Sequence, residues 1–369
     1  MCKNMKPASI PELQDLVRSQ PGALEGTRIV ARGGGTKPSL SGGQAGADVV
    51  ETSGLSGLLE YQPDEFTFSA LAGTPLAEVR AALAQHGQYL PFDPPLVEAG
   101  ATLGGAVASG LSGAGRYRYG GLRDFLLAVR FVDGAGQVVS GGGRVVKNAA
   151  GFDLPKLMVG SLGHYGVLVE LSFKVFPQPE AYATVIASYP TLAEALDIMI
   201  RLSGQPLELY ALDLHPQAGG YNLLARLGGR LDSLTARTRR LCATLNSDAL
   251  QTLEGPSEAA LWRGEGEFSW VPAGCCLVKV PLTPQRLPQL DASLEASGAL
   301  RHYSAGANLA WVAWPGAVAE LDRLLTDQQL SGLLLCGASV PPELGTRSGE
   351  EFARRVKRAL DPQGRFPGA

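Results

Sequence analysis

Residues 28–37 of the chain read RIVARGGGTK, a short apolar strand that runs directly into a glycine loop. Successive glycines can adopt positive φ angles, which allow consecutive backbone N–H groups to converge on an anion. The loop therefore favours a phosphate-bearing ligand, although three glycines alone are equally typical of a flexible turn. Its spacing matches neither the G-x-x-x-x-G-K-[ST] phosphate loop nor the G-x-G-x-x-G dinucleotide fingerprint that opens a helix.

Two further glycine clusters follow at residues 100–110, GATLGGAVASG, and at residues 163–166, GHYG. A stretch with so few side chains either binds a large ligand through its backbone or packs a helix very tightly. Three such loops within one α+β segment fit an extended ligand that carries a phosphate and flat rings. We therefore expect one ligand to contact all three loops.

Length and composition limit the number of domains and the classes of partner that the chain could have. A chain of 369 residues predicts two or three domains, and an apolar content of 45% is enough for a real core. The 32 basic and 35 acidic residues give a net charge of −3, so no basic patch favours nucleic acid as a partner. No stretch approaches the roughly 18 apolar residues of a membrane-spanning helix, and residues 1–19 lack the apolar core of a signal peptide. We expect a soluble, cytoplasmic protein that contacts membranes only through its partners.

The cysteines and histidines lack the spacing of a metal or cluster site. No CxxC, HxH or HxxxH pair occurs among Cys2, Cys242, Cys275, Cys276, Cys336, His86, His164, His215 and His302. Structural zinc or an iron–sulfur cluster needs four converging ligands, so the sequence predicts neither. We expect reduced cysteines, and we interpret His215 as a surface residue and His302 as part of an ordinary strand.

Hydrophobic periodicity divides the chain into three segments. Residues 1–180 alternate short strands with glycine loops, and residues 181–340 contain two β-α-β-β-α units in series. Such repeated units predict one antiparallel sheet with helices on one side. Residues 341–369 hold an amphipathic helix over 350–360 and are too short to fold alone, so we expect them to pack on the first segment.

Several motifs, in this order along the chain, resemble the FAD-linked oxidases of the vanillyl-alcohol oxidase and D-lactate dehydrogenase type. They comprise residues 32–37, 73–76, 100–110, 147–154 and 159–167, and the tail motif DPQGRF at 361–366. Within this family, residues 91–95 (PFDPP) and 123–125 (RDF) are similar to the FAD-binding subunits of bacterial glycolate oxidases. The resemblance covers about residues 28–180 and the tail.

The resemblance implies an α+β fold, with a two-lobed FAD-binding domain in residues 1–180 to which the tail at 341–369 returns. Residues 181–340 would form a second α+β domain, a cap on the substrate side with an antiparallel sheet covered by helices. FAD would be held mainly by the backbone of the glycine loops. The residues implied as FAD ligands are Gly33, Gly34, Gly35, Thr36, Lys37, Pro95, Thr102, Gly104, Gly105, Ser109, Gly110, Gly166 and Val167.

FAD is expected to bind without a covalent bond. Some relatives attach FAD through a histidine or a cysteine, but neither residue type stands within residues 32–37 or 110–119. The tail also departs from the family pattern, because the asparagine that usually precedes its final Pro-Gly is missing before Pro367-Gly368. The contact to the flavin that the resemblance implies for this asparagine is therefore not carried over to this sequence.

Arg116 and Arg118, in the run GRYRYG at residues 115–120, are the candidate catalytic residues. Oxidation of a 2-hydroxy acid needs a base for the hydroxyl proton, a cation for the carboxylate and a flavin that accepts hydride. Two guanidinium groups flanked by tyrosines fit the carboxylate, whereas solvated or subunit-facing arginines are the alternative. No paired histidines are evident that would act as the base.

This weak catalytic set favours an FAD-binding subunit of a glycolate oxidase-like complex. Such a subunit would take part in the oxidation of a small 2-hydroxy acid, glycolate or D-lactate, and pass electrons to a catalytic flavin subunit and an iron–sulfur subunit. A free-standing FAD-dependent 2-hydroxy acid dehydrogenase is the second hypothesis. The third is a flavin-fold scaffold without FAD or catalysis, against which the intact glycine loops argue.

Overall fold

The computed structural model describes residues 3–20, 28–42, 46–143, 153–338 and 340–368. Lys147–Phe152, which belong to one of the quoted motifs, lie outside these residues. The chain divides into two compact units. The first comprises Met1–Ser112, Gly121–Gln178 and Ser348–Ala369, and the second comprises Gly113–Gly120 and Pro179–Arg347. The sequence-based division assigns residues 113–120 to the first segment and residues 341–347 to the tail that returns to it, whereas the structure groups both stretches with the second unit.

Twelve α-helices and nineteen strands occur in the described residues. The helices are α1 (Ile10–Ser19), α2 (Pro38–Gly42), α3 (Leu76–Ala84), α4 (Leu103–Ser109), α5 (Arg116–Tyr119), α6 (Leu154–Met158), α7 (Leu192–Ser203), α8 (Leu231–Leu245), α9 (Gly255–Gly266), α10 (Leu287–Ala296), α11 (Val318–Asp327) and α12 (Glu350–Leu360). The strands are β1 (Asn4–Met5), β2 (Ile29–Arg32), β3 (Asp48–Glu51), β4 (Leu58–Gln62), β5 (Thr67–Leu71), β6 (Gln88–Tyr89), β7 (Leu126–Val132), β8 (Val138–Gly142), β9 (Val167–Lys174), β10 (Phe176–Pro177), β11 (Ala181–Tyr189), β12 (Ala211–Gln217), β13 (Gly220–Gly229), β14 (Leu250–Glu254), β15 (Cys276–Pro281), β16 (Leu300–Ser304), β17 (Leu309–Trp314), β18 (Ser331–Cys336) and β19 (Glu343–Gly345). None of these helices has both the length and the apolar character needed to span a bilayer.

The first unit contains two main sheets. Strands β1, β3 and β2 form a parallel sheet, and strands β4-β5-β9-β7-β8 form an antiparallel one in that order. Helix α1 begins at Ser9, whose hydroxyl accepts a hydrogen bond from the backbone N–H of Glu12. Its buried face, Leu13 and Val17, packs into a core shared with both sheets and with Phe366 of the tail. One continuous core therefore supports the strands from which the glycine loops extend.

The tail is tied into the first unit by charged hydrogen bonds. The Lys357 ammonium donates to the carbonyl oxygen of His164 and to a carboxylate oxygen of Asp361, both at 2.6 Å. Asp361 in turn accepts hydrogen bonds from the backbone N–H groups of Arg365 and Phe366. The Arg365 carbonyl oxygen accepts a 2.7 Å hydrogen bond from the N–H of Ile29, where strand β2 begins. The tail thus anchors the strand that leads into the first glycine loop.

The second unit is built on a nine-stranded sheet with the order β14-β11-β13-β12-β16-β17-β15-β18-β19, in which every pair is antiparallel. The predicted single antiparallel sheet is therefore confirmed. Alternate side chains, such as Val185, Leu223 and Val312, enter a core shared with helices α7, α8, α10 and α11. These helices cover one face of the sheet.

Helix α9 packs on the other face, so the prediction of helices on one side only was wrong. Its Trp262 contacts Ala211 and Leu224, whose side chains point away from the larger core. Residues 255–266 contain Leu261 and Trp262 as their only large apolar side chains, so they show no clear helical periodicity. Tertiary packing, and not local amphipathicity, stabilises this helix.

Candidate functional site

Three glycine-rich segments of the first unit line one cavity of about 710 Å³, a volume that includes its open mouth. The first segment is the loop after strand β2, the second is the start of helix α4, and the third is the turn before strand β9. Among the predicted ligands, Gly33, Gly34, Gly35, Thr36, Lys37, Thr102, Gly104, Gly105, Ser109 and Gly166 line this cavity. Residues 130 positions apart in the sequence are therefore brought together in one concave site.

Pro95, Gly110 and Val167 lie outside the lining of this cavity. Gly110 ends helix α4 in the left-handed conformation, with φ of 62°. Val167 is buried where strand β9 pairs with β7, opposite Val132. Pro95 is buried in the segment that precedes Leu96. Sequence reasoning did not single out several other lining residues. Ala108, Ser161 and Leu162 lie within the quoted motifs, whereas no sequence signal marks Leu40, Ser41, Thr52, Ala72 and Leu168.

The glycines of the cavity wall are required by close packing. A Cβ atom on Gly34 would overlap the carbonyl oxygen of Gly100, and one on Gly104 would lie 2.8 Å from the Cβ and carbonyl oxygen of Ala72. Gly35 has a φ of +68°, which other residues rarely adopt. Glycine at these positions therefore brings two backbone segments together and leaves the space beside them open to a ligand.

Helix α4 starts at the cavity with a capped N-terminus. The Thr102 hydroxyl accepts a hydrogen bond from the N–H of Gly105, and the N–H of Gly104 donates to the carbonyl oxygen of Ala72. The Ser109 hydroxyl donates to the carbonyl oxygen of Gly105 at 2.7 Å. The N–H groups of Gly104 and Gly105 therefore already have partners within the chain, and Gly104 allows helix α4 to pack closely against Ala72.

Lys37 is the one charged residue among the described residues that line the cavity. Its side chain is buried, with only 8% of the residue exposed, and its ammonium donates to the Thr36 hydroxyl at 3.0 Å. Burial lowers the pKa of Lys37 to about 8. A buried cation beside a bare backbone loop favours an anionic ligand group, because such a group would compensate the buried charge.

The third wall of the cavity is held from the tail. Lys357 bonds to the carbonyl oxygen of His164, in the turn that contributes Ser161, Leu162, Gly163 and Gly166 to the lining. Burial, together with the nearby Lys357 charge, lowers the pKa of His164 to about 4. His164 is therefore neutral at pH 7. Its role in this wall is carried by its backbone carbonyl.

The two candidate catalytic arginines lie in the second unit and have different surroundings. Arg118 packs over the rings of Tyr119 and Tyr210 and lies 3.5 Å from a carboxylate oxygen of Glu208. Arg116 is exposed, and its charge acts on Lys279 of strand β15. Burial, with a contribution from Arg116, lowers the pKa of Lys279 to about 8. Arg116 and Lys279 are thus coupled electrostatically, while Arg118 is engaged by neighbouring side chains.

Two histidines and a glutamate meet on the sheet face that carries helix α9. The rings of His215 and His302 stack with centroids 3.7 Å apart, and Trp270 stacks on His302 at 4.0 Å. Glu265 Oε2 lies 2.8 Å from His302 Nδ1 and 3.7 Å from His215 Nε2. Burial and the adjacent His302 hold the pKa of His215 well below its usual range. The side chains of His215 and His302 are only 12% and 15% exposed, which corrects our interpretation of His215 as a surface residue.

Sequence spacing gave no sign of this cluster. His215 lies in strand β12, His302 lies in strand β16, and Glu265 lies near the end of helix α9. Only the pairing of β12 with β16 and the unexpected helix bring them together. Their potential ligand atoms all lie within 4.8 Å of one another, close enough to be considered for a metal ion.

Comparison with known proteins identifies the domain around the cavity. Residues 5–142 match the family described as FAD binding domain. The glycolate oxidase subunit GlcE of Escherichia coli is 40% identical over 186 residues, which are 50% of this chain and 53% of the relative. A D-lactate dehydrogenase of Archaeoglobus fulgidus is 28% identical over 210 residues, 54% of this chain and 46% of the relative. The chain thus spans about half the length of these relatives.

The fold also matches a solved structure. That of alkyldihydroxyacetonephosphate synthase superposes with a TM-score of 0.72 over 98% of this chain and 75% of that chain, at 16% sequence identity. At this identity the likeness concerns the fold alone. The predicted family resemblance and the predicted α+β fold are both confirmed. Residues 5–142 are therefore similar to an FAD binding domain, and the likeness to the two relatives extends over about half of this chain.

Proposed function

We propose that the protein is the FAD-binding subunit of a glycolate oxidase-like complex, in which a small 2-hydroxy acid, glycolate or D-lactate, is oxidised. The observation that carries this proposal is the glycine-walled cavity with its single buried lysine. Its shape and charge fit a dinucleotide with a pyrophosphate group. The similarity to a protein named as a glycolate oxidase subunit supports the choice of substrate and the existence of partners.

The chain's own residues would hold FAD through space and charge. Gly33, Gly34 and Gly35 would let the pyrophosphate approach the backbone, and Lys37 would compensate its charge. Gly104 and Gly105 would leave room for the flat rings. When bound, FAD supplies the acceptor for a hydride from the substrate.

Binding of FAD without a covalent bond is part of the proposal. Among the described residues that line the cavity there is no histidine or cysteine that would form a link to the flavin. Acid precipitation of the yellow protein should release all flavin colour into the supernatant. Colour that stays in the pellet would show a covalent bond, while a purified chain without flavin bands would support the scaffold hypothesis.

Electron transfer to a catalytic flavin subunit and an iron–sulfur subunit completes the proposed complex. Co-purification with a flavoprotein and an iron–sulfur protein would support it. A purified chain that is monomeric in its native extract, with no such proteins attached, would contradict it.

A free-standing dehydrogenase is the second candidate function, and the second unit provides a specific reason for it. The sequence argument against it was the lack of paired histidines, yet His215 and His302 are stacked in the structure. Arg116 and Lys279 would bind the carboxylate of the substrate. Robust turnover of glycolate or D-lactate by the single chain with an artificial electron acceptor, lost in Arg116→Ala, would favour this function over the subunit role.

A further inference from the structure

Lys279 lies in the middle of strand β15 and has apolar neighbours. Val278 and Val280, which flank it in the chain, point into the larger core, so alternation places Lys279 on the opposite face of the sheet. The residues directly across from it on the two adjacent strands are Trp311 and Leu333. The Lys279 side chain is therefore half-buried beside two apolar side chains, neither of which offers a hydrogen-bond acceptor.

Lys279 differs from the buried arginines of the second unit because it lacks an anionic partner. Arg226 pairs with Glu258 and Arg301 pairs with Asp291, each at 2.7 Å. Within the part of the chain that the structure describes, the Lys279 ammonium makes neither an ion pair nor a hydrogen bond. A shielded charge without a partner is unfavourable, which favours either a bound anion or the uncharged form of the amine.

A second cation, Arg116 of helix α5, lies close enough for its charge to act on Lys279. Arg116 is exposed and, among the described residues, its side chain has no carboxylate partner. Burial and the Arg116 charge lower the pKa of Lys279 to about 8. At pH 7 about a tenth of Lys279 is then neutral, against roughly 0.04% of a lysine with a pKa of 10.4. The neutral amine is the nucleophilic form.

We propose that Lys279 captures small 2-oxo acids as a reversible imine, while the guanidinium of Arg116 binds the carboxylate of the same ligand. A desolvated lysine beside another cation is an arrangement that activates the amine toward carbonyl groups. A 2-oxo acid fits because its carboxylate is bonded to the carbonyl carbon, so one small ligand meets both groups. Oxidation of a 2-hydroxy acid forms such a product. The source of the ligand therefore rests on the proposed function, whereas the site itself does not.

The reaction needs neither an oxidant nor a reductant. The neutral Nζ of Lys279 adds to the carbonyl carbon, and a C–N bond forms as the carbonyl π bond opens. Nζ then loses both of its hydrogens to the oxygen, which leaves as water, and a C=N double bond remains. Addition of water reverses these steps, so the ligand leaves when its concentration falls.

Reductive trapping on the full-length chain tests the proposal without flavin turnover or partner subunits. The chain is incubated with glyoxylate at pH 7 and quenched with sodium borohydride, which converts an imine into carboxymethyl-lysine. Peptide mass spectrometry should find this adduct on Lys279 at a yield about tenfold or more above that on the exposed Lys6. The yield on Lys279 should rise with pH and level off above about 8, because the ammonium form does not react. A negative result would leave the proposed function standing, since flavin content and partner binding are measured separately.

Matched variants separate the two roles. Lys279→Met, which keeps an unbranched side chain, should remove most of the total adduct, whereas Lys6→Met should keep it. Arg116→Ala should reduce the preference for glyoxylate over acetaldehyde, which has no carboxylate, by about tenfold or more through loss of a charge-assisted hydrogen bond. The imine site is refuted if Lys279 of the parent reacts no more than Lys6. An unchanged preference in Arg116→Ala would refute the carboxylate role of Arg116.

Discussion

The two units build their polar sites in opposite ways. In the first unit the wall of the cavity contains many glycines, and Gly34 and Gly104 allow backbone segments to approach one another. In the second unit the cluster of His215, Glu265 and His302 is formed by side chains that strand register brings together. The cavity is encoded by glycine, which has no side chain, at certain positions. The cluster is encoded by the strand pairing that places distant side chains next to one another.

This difference determines how each site should respond to substitution. A backbone-walled cavity is damaged by any added Cβ atom, however conservative the new residue. A side-chain cluster should keep its fold when a side chain is replaced by one of the same shape. Its interactions should change only as far as the chemistry of the replaced atoms differs. The predictions below test this contrast, beginning with the largest expected effect.

Gly34→Val should abolish flavin binding while the protein remains folded. The new Cβ would overlap the carbonyl oxygen of Gly100, a backbone atom that cannot rotate away. Overpacking a site costs about 1–3 kcal/mol of stability even where the neighbouring atoms can move. To relieve the overlap, the loop would shift, and the space for the ligand would be lost. Flavin content after purification measures the effect, with circular dichroism as the test of folding. Gly264→Ala, whose Cβ would meet nothing within 4 Å, is the control. Full flavin occupancy in Gly34→Val would show that this loop does not form the flavin site.

Glu258→Ala should destabilise the second unit by about 3–5 kcal/mol, because it leaves a buried guanidinium uncompensated. Arg226 donates to Glu258 at 2.7 Å and 3.1 Å, and Thr184 donates to the same carboxylate. Denaturant unfolding measures the loss. Asp197→Ala, in an exposed pair with Arg201, should leave the unfolding midpoint almost unchanged. A similar small shift in both variants would mean that the Arg226–Glu258 pair does not support this face of the sheet.

Much of the fold was accessible from sequence because its signals are local. The Thr191 cap opens helix α7, and the apolar face of α8 contains Leu234, Leu241 and Leu245 at helical spacing. The glycine loops were recognisable for the same reason, since each is a continuous run. Their meeting in one cavity depends on the tertiary structure and could not be derived from the separate loops.

What could not be predicted depends on contacts between distant segments. Helix α9 has no amphipathic period, and its position follows from Trp262 and Glu258 packing on the sheet. The His215–His302 stack requires the pairing of β12 with β16, which no spacing rule indicates. Residues 113–120 group with the second unit although they follow a glycine-rich motif of the first.

Lys37→Met should weaken flavin binding by about tenfold to a hundredfold, the contribution of a charge-assisted hydrogen bond of roughly 1.5–3 kcal/mol. Burial places the pKa of Lys37 at about 8, and a bound pyrophosphate would raise it. The ammonium form binds the anion better, so affinity should be constant below pH 8 and fall as the pH rises above 8. Flavin fluorescence titrations between pH 6 and about 9.5 measure this dependence.

Lys156→Met is the control for this lysine, because Lys156 pairs with Asp153 outside the cavity. It should keep both the affinity and the pH dependence of the parent. In Lys37→Met the fall in affinity above pH 8 should disappear. An unchanged pH profile in Lys37→Met would assign the titration to a different group and remove Lys37 from the proposed flavin site.

Thr102→Ala should have the smallest effect, a loss of about 1 kcal/mol from removal of the N-cap of helix α4. The hydroxyl accepts a hydrogen bond from the N–H of Gly105 at 3.2 Å, and both residues line the cavity. Loss of the cap frays the first turn of α4, so flavin binding should weaken severalfold and not disappear. Equilibrium unfolding and flavin titration together separate the loss of stability from the loss of affinity.

Thr102→Ser sharpens this last test, because serine retains the accepting hydroxyl and removes only a methyl group. If the cap is the role of Thr102, serine should restore both stability and flavin affinity to nearly those of the parent. If serine fails to restore affinity, the threonine methyl group itself shapes the wall. In that case the cavity of the first unit would depend on side-chain packing as well as on bare backbone, and the contrast between the two units would be weaker than the glycine loops suggest.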